Sequence, residues 1–448
     1  MIGIAKTETV RRDQSAQLAS ILLYGTFGLL MFGPLAFGTV EPWSIFVMET
    51  GATVLALTWL AKQFLEGEIK IVWNPLFLPM AAFGTLILLQ IVFNVTAYRH
   101  DTVVNARLYI AYAILCFLAT QTLLRSAQAR KLAFIFCIYA SAIAVFALLQ
   151  GISSNGKLYW VRTPRMGGWI YGPYVNHNHY AGLMELLIPI PLVLCLTKMV
   201  ESRERIAAAA AAALMAGTIF LSGSRGGMVA LMAELAVLTF LLIRQRHDLR
   251  AAAGLGVFLL IVVGLLTWLG GDELTRRLAT VDVSHSDLTN SMRMQINRDG
   301  LHMFAAKPIL GWGMGSFPVI YPQFRTFYTN FFVNQAHDDY LQLLVEMGLL
   351  GFATMVWFLV VLYRRAFSKI TKWTSEVSGA LSLACILGVT GILVHSTVDF
   401  NLQIPANAAF FFVVCSIAAA NPLTQPMRRR KPVQPKVEEE AFPAPEAV

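Results

Sequence analysis

The sequence predicts an all-α, polytopic membrane protein with about twelve spanning helices, and three observations carry that expectation. Of its 448 residues, 56% are hydrophobic and 14% charged, with a mean hydropathy of +0.60; soluble domains are roughly 25% charged. Apolar runs of near-constant length recur along the chain, each long enough to cross a hydrocarbon slab about 30 Å thick. Lys and Arg gather in every second connection between those runs, the bias that keeps basic flanks on the cytoplasmic side.

The runs fall at roughly 17–38, 43–64, 75–95, 104–124, 132–151, 179–199, 206–222, 226–243, 251–270, 340–363, 378–396 and 404–420. The seventh and eighth are parted only around Ser222 to Arg225, and the last is short. With the N-terminus inside, cytoplasmic flanks carry Lys6, Arg11 and Arg12, then Arg125, Arg130 and Lys131, then Arg244, Arg246 and Arg250, and finally Arg428 to Lys431. An even number of spans returns the C-terminus to the same side, so both termini are expected in the cytoplasm. A missed or invented helix would swap the sides of all later connections and break the alternation, so the count and the topology support each other.

Residues 1–16 are then a cytoplasmic N-terminus, and the first span, lacking a small-residue cleavage site, acts as a signal anchor. Residues 17–421 form the transmembrane domain. Residues 422–448, rich in Pro, Ala and charge, form a disordered cytoplasmic tail. The formal net charge of +9 does not point to nucleic acid, because the cytoplasmic basic residues flank spans, where they set topology and contact anionic membrane lipids. Cys116, Cys137, Cys195, Cys385 and Cys415 all lie inside apolar runs with no paired spacing. They read as small buried hydrophobes, not as disulfides or metal ligands.

Two external, periplasmic loops are long, about 152–178 and about 271–339, and long loops on a rigid scaffold are where chemistry concentrates. Several basic residues oppose the positive-inside bias and need another reason. Arg225, in Leu-Ser-Gly-Ser-Arg-Gly-Gly, sits at a tight turn near the outer boundary. It either snorkels to lipid phosphates or holds a phosphate or diphosphate in its planar fork, with glycines letting backbone N–H groups approach the same anion. Arg162 and Arg165 in the first long loop could act likewise.

The first loop runs through Gly172, Asn176, His177, Asn178 and His179 into the sixth span. The asparagines and histidines serve either as caps and interfacial polar groups or as site residues. No Asp, Glu or Cys nearby in sequence completes a ligand set, so no metal is expected. The second loop holds Arg293 on an expected surface helix, 291–305, then a proline followed by Gly311, Gly313 and Gly315 at alternate positions, the mark of a tight irregular turn.

That loop ends at His337, followed by Asp338 and Asp339 at the start of the tenth span. A neutral imidazole there is a competent base near pH 7, placed to take a proton from an alcohol. Glu346 lies inside the apolar helix, where an ionisable group costs roughly 2.5–3.5 kcal/mol on insertion scales and so requires a polar partner or a role. The connection between the last two spans, with His395, Asp399 and Asn401, is polar at a costly depth. It is either a hydrogen-bonded cap or a set of groups that orient an arginine or an acceptor.

Gly172-x-x-x-Asn176-x-Asn178, Ser224-Arg225-Gly226, Pro308-x-x-Gly311-x-Gly313-x-Gly315-x-Phe317 and the His337 to Gly351 stretch together resemble the O-antigen ligase superfamily. That superfamily also contains O-antigen polymerases and bacterial protein O-oligosaccharyltransferases. The resemblance covers the twelve-span plan and about residues 160–410. Ligases carry His, then Asn, Ser or Gln, nine residues, Gly, two residues and Gly; His337, Gly348 and Gly351 fit, while Asp338 departs from the pattern.

The resemblance implies a GT-C-like glycosyltransferase without cofactor or metal. It implies an undecaprenyl-diphosphate-linked polysaccharide donor, a lipid A-core acceptor and an active site facing the periplasm from the bacterial inner membrane. His337 would be the general base, and Arg162, Arg165, Arg225 and Arg293 would bind the diphosphate. Asn176, Asn178, Asp338, Glu346, His395 and Asp399 would support them. A polymerase or a protein O-oligosaccharyltransferase is the alternative within the superfamily. A transporter of lipid-linked solutes is the alternative outside it, since twelve spans are also a transporter plan.

Overall fold

The computed structural model describes residues 2–164, 168–197, 199–244, 290–329 and 332–423. They are helical, with no strand among them beyond two isolated bridges, Leu158 with Arg162 and Tyr171 with Tyr174. In chain order the helices are α1 (Ile2–Leu35), α2 (Pro42–Glu66), α3 (Phe77–Val92), α4 (Arg99–Thr122), α5 (Ser126–Ile152), α6 (His177–Leu187) and α7 (Pro189–Leu196). There follow α8 (Ser202–Ser222), α9 (Arg225–Arg244), α10 (Asn290–Ala306), α11 (Phe317–Phe324), α12 (Asp339–Ile370), α13 (Val377–His395) and α14 (Pro405–Ala419).

Among the described residues, nine helices are long and apolar enough to cross a membrane, α6 and α7 counting as one; α3 and α14 are shorter apolar helices. Every predicted span but one therefore coincides with a helix. The exception, 251–270, lies outside the described residues, as do 271–289 of the second loop and the tail from Thr424. The expected surface helix at 291–305 is α10, whereas the short α11 was not anticipated. The predicted sixth span is broken at Ile188 between α6 and α7, where Pro189 and Pro191 each remove a backbone donor.

The spans divide into an inner and an outer set. The window of α13 is 67% buried and that of α6 with α7 is 72% buried, against 28% for α2. Leu57, Leu60 and Phe64 of α2 and Ile138 and Leu149 of α5 point outward, as a lipid-facing surface requires. The interior is packed with Leu383, Leu387 and Ile392 of α13 and Ala409, Phe410 and Cys415 of α14. All five cysteines are free, four buried and Cys195 half-buried, in keeping with their reading as small apolar side chains.

The second loop is anchored to the membrane domain through a break in α12. Gly348 adopts φ 62° and ψ −166°, so the helical ladder is interrupted there. The freed carbonyls of Val345 and Glu346 accept the N–H groups of Trp312 and Gly313, both at 2.9 Å. The N–H groups of Leu349 and Leu350 donate to the carbonyls of Pro308 and Ile309 at 2.8 and 3.2 Å. Gln90 of α3 closes the joint: its Nε2 donates to the carbonyls of Leu310 and Glu346, and its Oε1 accepts from Met314 N–H.

Glu346 has the polar partners its depth demands. Its carboxylate accepts the N–H of Gly315 at 2.8 Å, the N–H of Phe317 at 3.3 Å and Gln342 Nε2 at 3.0 Å. Gly311, Gly313 and Gly315 all have positive φ, which lets the turn wrap around that carboxylate. Glu346 is thus the group on which the glycine turn is folded.

A side chain at Gly348 would be strained by its φ and would strike the carbonyl of Ile309. Gly348→Ala is therefore expected to cost about 1–3 kcal/mol of stability, read as a lower thermal midpoint in detergent. An unchanged midpoint would mean that the break is not a fixed feature of the fold.

Candidate active site

His337 sits at the corner where the second loop turns into α12. Its φ of 58° is left-handed, and its half-buried ring is aimed by fixed neighbours on both sides. Before it, Ala336 N–H donates to Gln342 Oε1 at 2.8 Å, while Gln342 Nε2 also bonds Gln335 Oε1. After it, Asp338 caps α12, its Oδ1 accepting the N–H groups of Tyr340 at 2.9 Å and Leu341 at 3.0 Å. Burial raises the Asp338 pKa above the usual carboxylate value, and these two donors offset that only in part.

The connection between α13 and α14 receives this corner. Asp339 N–H donates to the Ser396 carbonyl at 2.9 Å. The Asp339 carboxylate accepts Ser396 Oγ at 2.8 Å and Leu402 N–H at 3.1 Å. Phe400 touches two imidazoles: the His337 ring lies 4.8 Å from it, and the His179 ring 4.7 Å, both edge to face. His179 Nε2 is 3.8 Å from Asp399 Oδ1, and that same oxygen accepts the N–H of Phe400 at 2.7 Å.

Asp399 is 1% exposed. Burial alone would raise its pKa; the charges of nearby His179, His395 and His337 overcome this and hold it well below the usual carboxylate range. A carboxylate so placed is a standing negative charge beside three histidines, able to stabilise an imidazolium when one forms.

The predicted arginines are distributed unevenly around this hub. Arg293 of α10 is half-buried, and its Nη1 donates to the Val398 carbonyl at 3.3 Å. Arg225 is exposed at the first residue of α9, where Ser224 Oγ accepts Gly227 N–H at 3.1 Å as a cap. Its neighbour Gly226 packs so closely on the connection that a side chain there would lie 3.1 Å from Val398 Cγ2. Arg293 and the backbone next to Arg225 thus both meet Val398. Arg162 does not join them: it pairs with Glu41 at 2.5 Å and lies over the Phe37 ring at 4.4 Å. Arg165 lies outside the described residues.

Of the first-loop residues, Asn176 is a helix cap, its side chain accepting Asn178 N–H at 2.8 Å. Asn178 is buried in the first turn of α6, on the same turn as His179. His177 stacks on Trp169 with ring centroids 4.5 Å apart. His395 is buried and bonds Glu185 through Nδ1 at 2.8 Å, while Glu346 serves the glycine turn. Among the described residues, no group of three or more His, Cys, Asp or Glu is arranged to hold a metal ion.

Sequence reasoning missed His179 as a partner of Asp399, the anchoring role of Asp339, and Glu185. For Glu185 a signal existed. It is a lone carboxyl in an apolar run, the same anomaly that singled out Glu346.

The family model described as O-antigen ligase matches residues 210–356, which include α9, the described part of the second loop, His337 and the break at Gly348. No curated protein matches the chain.

Because the folded pKa of Asp399 lies below its unfolded value, its stabilising contribution is present above that value, near 3.8, and is lost as pH falls through the folded pKa. Asp399→Asn should therefore lower the thermal midpoint at neutral pH, with the deficit shrinking progressively below about pH 4. A deficit equal at both ends of the range would remove Asp399 as the charge that organises the histidines.

Proposed function

From the match of residues 210–356 to the O-antigen ligase family model, we propose that the chain is a glycosyltransferase acting on a lipid-linked polysaccharide. It moves O-antigen from undecaprenyl diphosphate to the terminal sugar of lipid A-core, without metal, on the periplasmic face of the inner membrane. Both termini are cytoplasmic in this reading. The observation that carries it is the convergence of His337, Asp399, Arg293 and the start of α9 on one short connection.

The acceptor hydroxyl gives its proton to the His337 imidazole as its oxygen bonds the anomeric carbon. The bond from that carbon to the diphosphate oxygen breaks, and its electron pair leaves with the lipid diphosphate. Arg225 and Arg293 face the negative charge that grows there, and fixed cations act most strongly where charge develops. Asp399 balances the imidazolium formed at His337. A single displacement inverts the anomeric configuration; retention would require a carboxylate nucleophile. Arg162, committed to Glu41, shapes the first loop against the turn between α1 and α2.

Asp338 stands where ligases carry an amide or hydroxyl. That departure makes a polymerase or a protein O-oligosaccharyltransferase the second reading, since both share the donor and differ in acceptor.

The test is transfer from purified undecaprenyl-diphosphate-linked polysaccharide to lipid A-core, without added metal. Loss of the general base in His337→Ala should lower kcat about 10²–10⁴-fold. Loss of one charge-stabilising group in Arg225→Ala should lower it about 10²–10³-fold. Growth of donor chains with no capped acceptor would replace the ligase with a polymerase. No transfer to any acceptor by folded native protein would overturn the enzymatic reading.

A further inference from the structure

Three titratable side chains meet inside the helical core without a task in the step above. They are Glu185 of α6, Glu234 of α9 and His395 at the end of α13, with exposures of 0%, 0% and 1%. His395 Nδ1 is 2.8 Å from Glu185 Oε1. Among the described residues, both carboxyl oxygens of Glu234, the second oxygen of Glu185 and His395 Nε2 have no hydrogen-bond partner.

The packing makes room for this cluster. Gly226 and Gly227 of α9 face it from one side: a side chain at Gly226 would lie 2.6 Å from His395 Nε2, and one at Gly227 would lie 3.2 Å from Glu185 Oε1. Gly391, one turn before His395 on α13, leaves the space that the Glu234 carboxyl fills. Glu234 and Glu185 interact electrostatically, and Asp399 from the connection and Asp339 from the start of α12 face His395.

Two carboxylates and one imidazolium would leave a net negative charge in an apolar interior, which strongly opposes it. Like charges at such a site are relieved by a proton on one of them. Glu185 is already engaged by His395, so the proton belongs on Glu234. The remaining pair, Glu185 anionic and His395 cationic, is then neutral as a unit.

We propose that Glu185, Glu234 and His395 form a buried proton-holding site that keeps His395 cationic beneath Gly226, directly behind the start of α9 where the leaving diphosphate is read to sit. Glu185 is a positioning residue that holds and charges His395. Glu234 carries the proton that spares the core a second negative charge. The coupling to catalysis rests on the function proposed above; the proton itself does not.

Two measurements on the full chain in lipid nanodiscs separate those parts. The infrared spectrum of the native protein is expected to contain a protonated-carboxyl carbonyl band that Glu234→Gln removes and Glu234→Asp shifts. Absence of that band, or its survival in Glu234→Gln, overturns the proton-holding site whether or not the protein transfers polysaccharide. In the transfer assay, Glu185→Gln is expected to lower kcat at least ten-fold while the donor KM stays within about three-fold, as for a charge that acts on the leaving group. Native kcat in Glu185→Gln overturns the coupling. Inactivity of native protein with every acceptor overturns the proposed function instead, and the band still decides the proton.

Discussion

In a hydrocarbon slab no water pairs with an exposed backbone N–H or C=O, so any break in a spanning helix must be closed by the protein itself. The break at Gly348 is closed by the turn from Pro308 to Phe317, whose backbone groups match those released from α12. This constraint reaches further than the joint. The glycines give the turn its path, Glu346 and Gln90 give it polar partners, and α10 and α11 are tied to the membrane domain through it. The corner that bears His337 is held between this joint and the connection from α13 to α14.

That connection is where the polar part of the molecule is assembled. A single buried carboxylate, Asp339, clamps it to the start of α12 by accepting both a hydroxyl and a backbone N–H. A second, Asp399, sets its charge. The residues around them come from α6, α9, α10, α12 and α13, elements far apart in the chain. Their meeting is therefore a product of helix packing, and in particular of the close crossing of α9 and α13 that Gly226 and Gly391 permit.

Much of the scaffold was legible in the sequence, because crossing a slab of fixed thickness leaves a signature of run length that no tertiary contact can override. The surface helix near Arg293 and the irregular turn at Gly311 to Gly315 were legible as well, from local composition. The break at Gly348 was not, since apolar residues continue on either side of it and its cause lies in a distant loop. For the candidate site, His337, Asp399 and Arg293 were singled out one by one, but their partners were not. Glu41 as the partner of Arg162, and His179 as that of Asp399, depend on long-range packing that periodicity does not encode.

Phe400 gives the site a mechanical property. Its N–H is bonded to the Asp399 carboxylate, and its ring touches the imidazoles of both His179 and His337. The acid and the ring are adjacent on one stretch of backbone, so a movement of that stretch alters the surroundings of both imidazoles at once. The phenyl ring thus gives each imidazole an apolar contact at the place where the carboxylate supplies a charge common to both. An apolar side chain thereby becomes the registration pin of a polar centre.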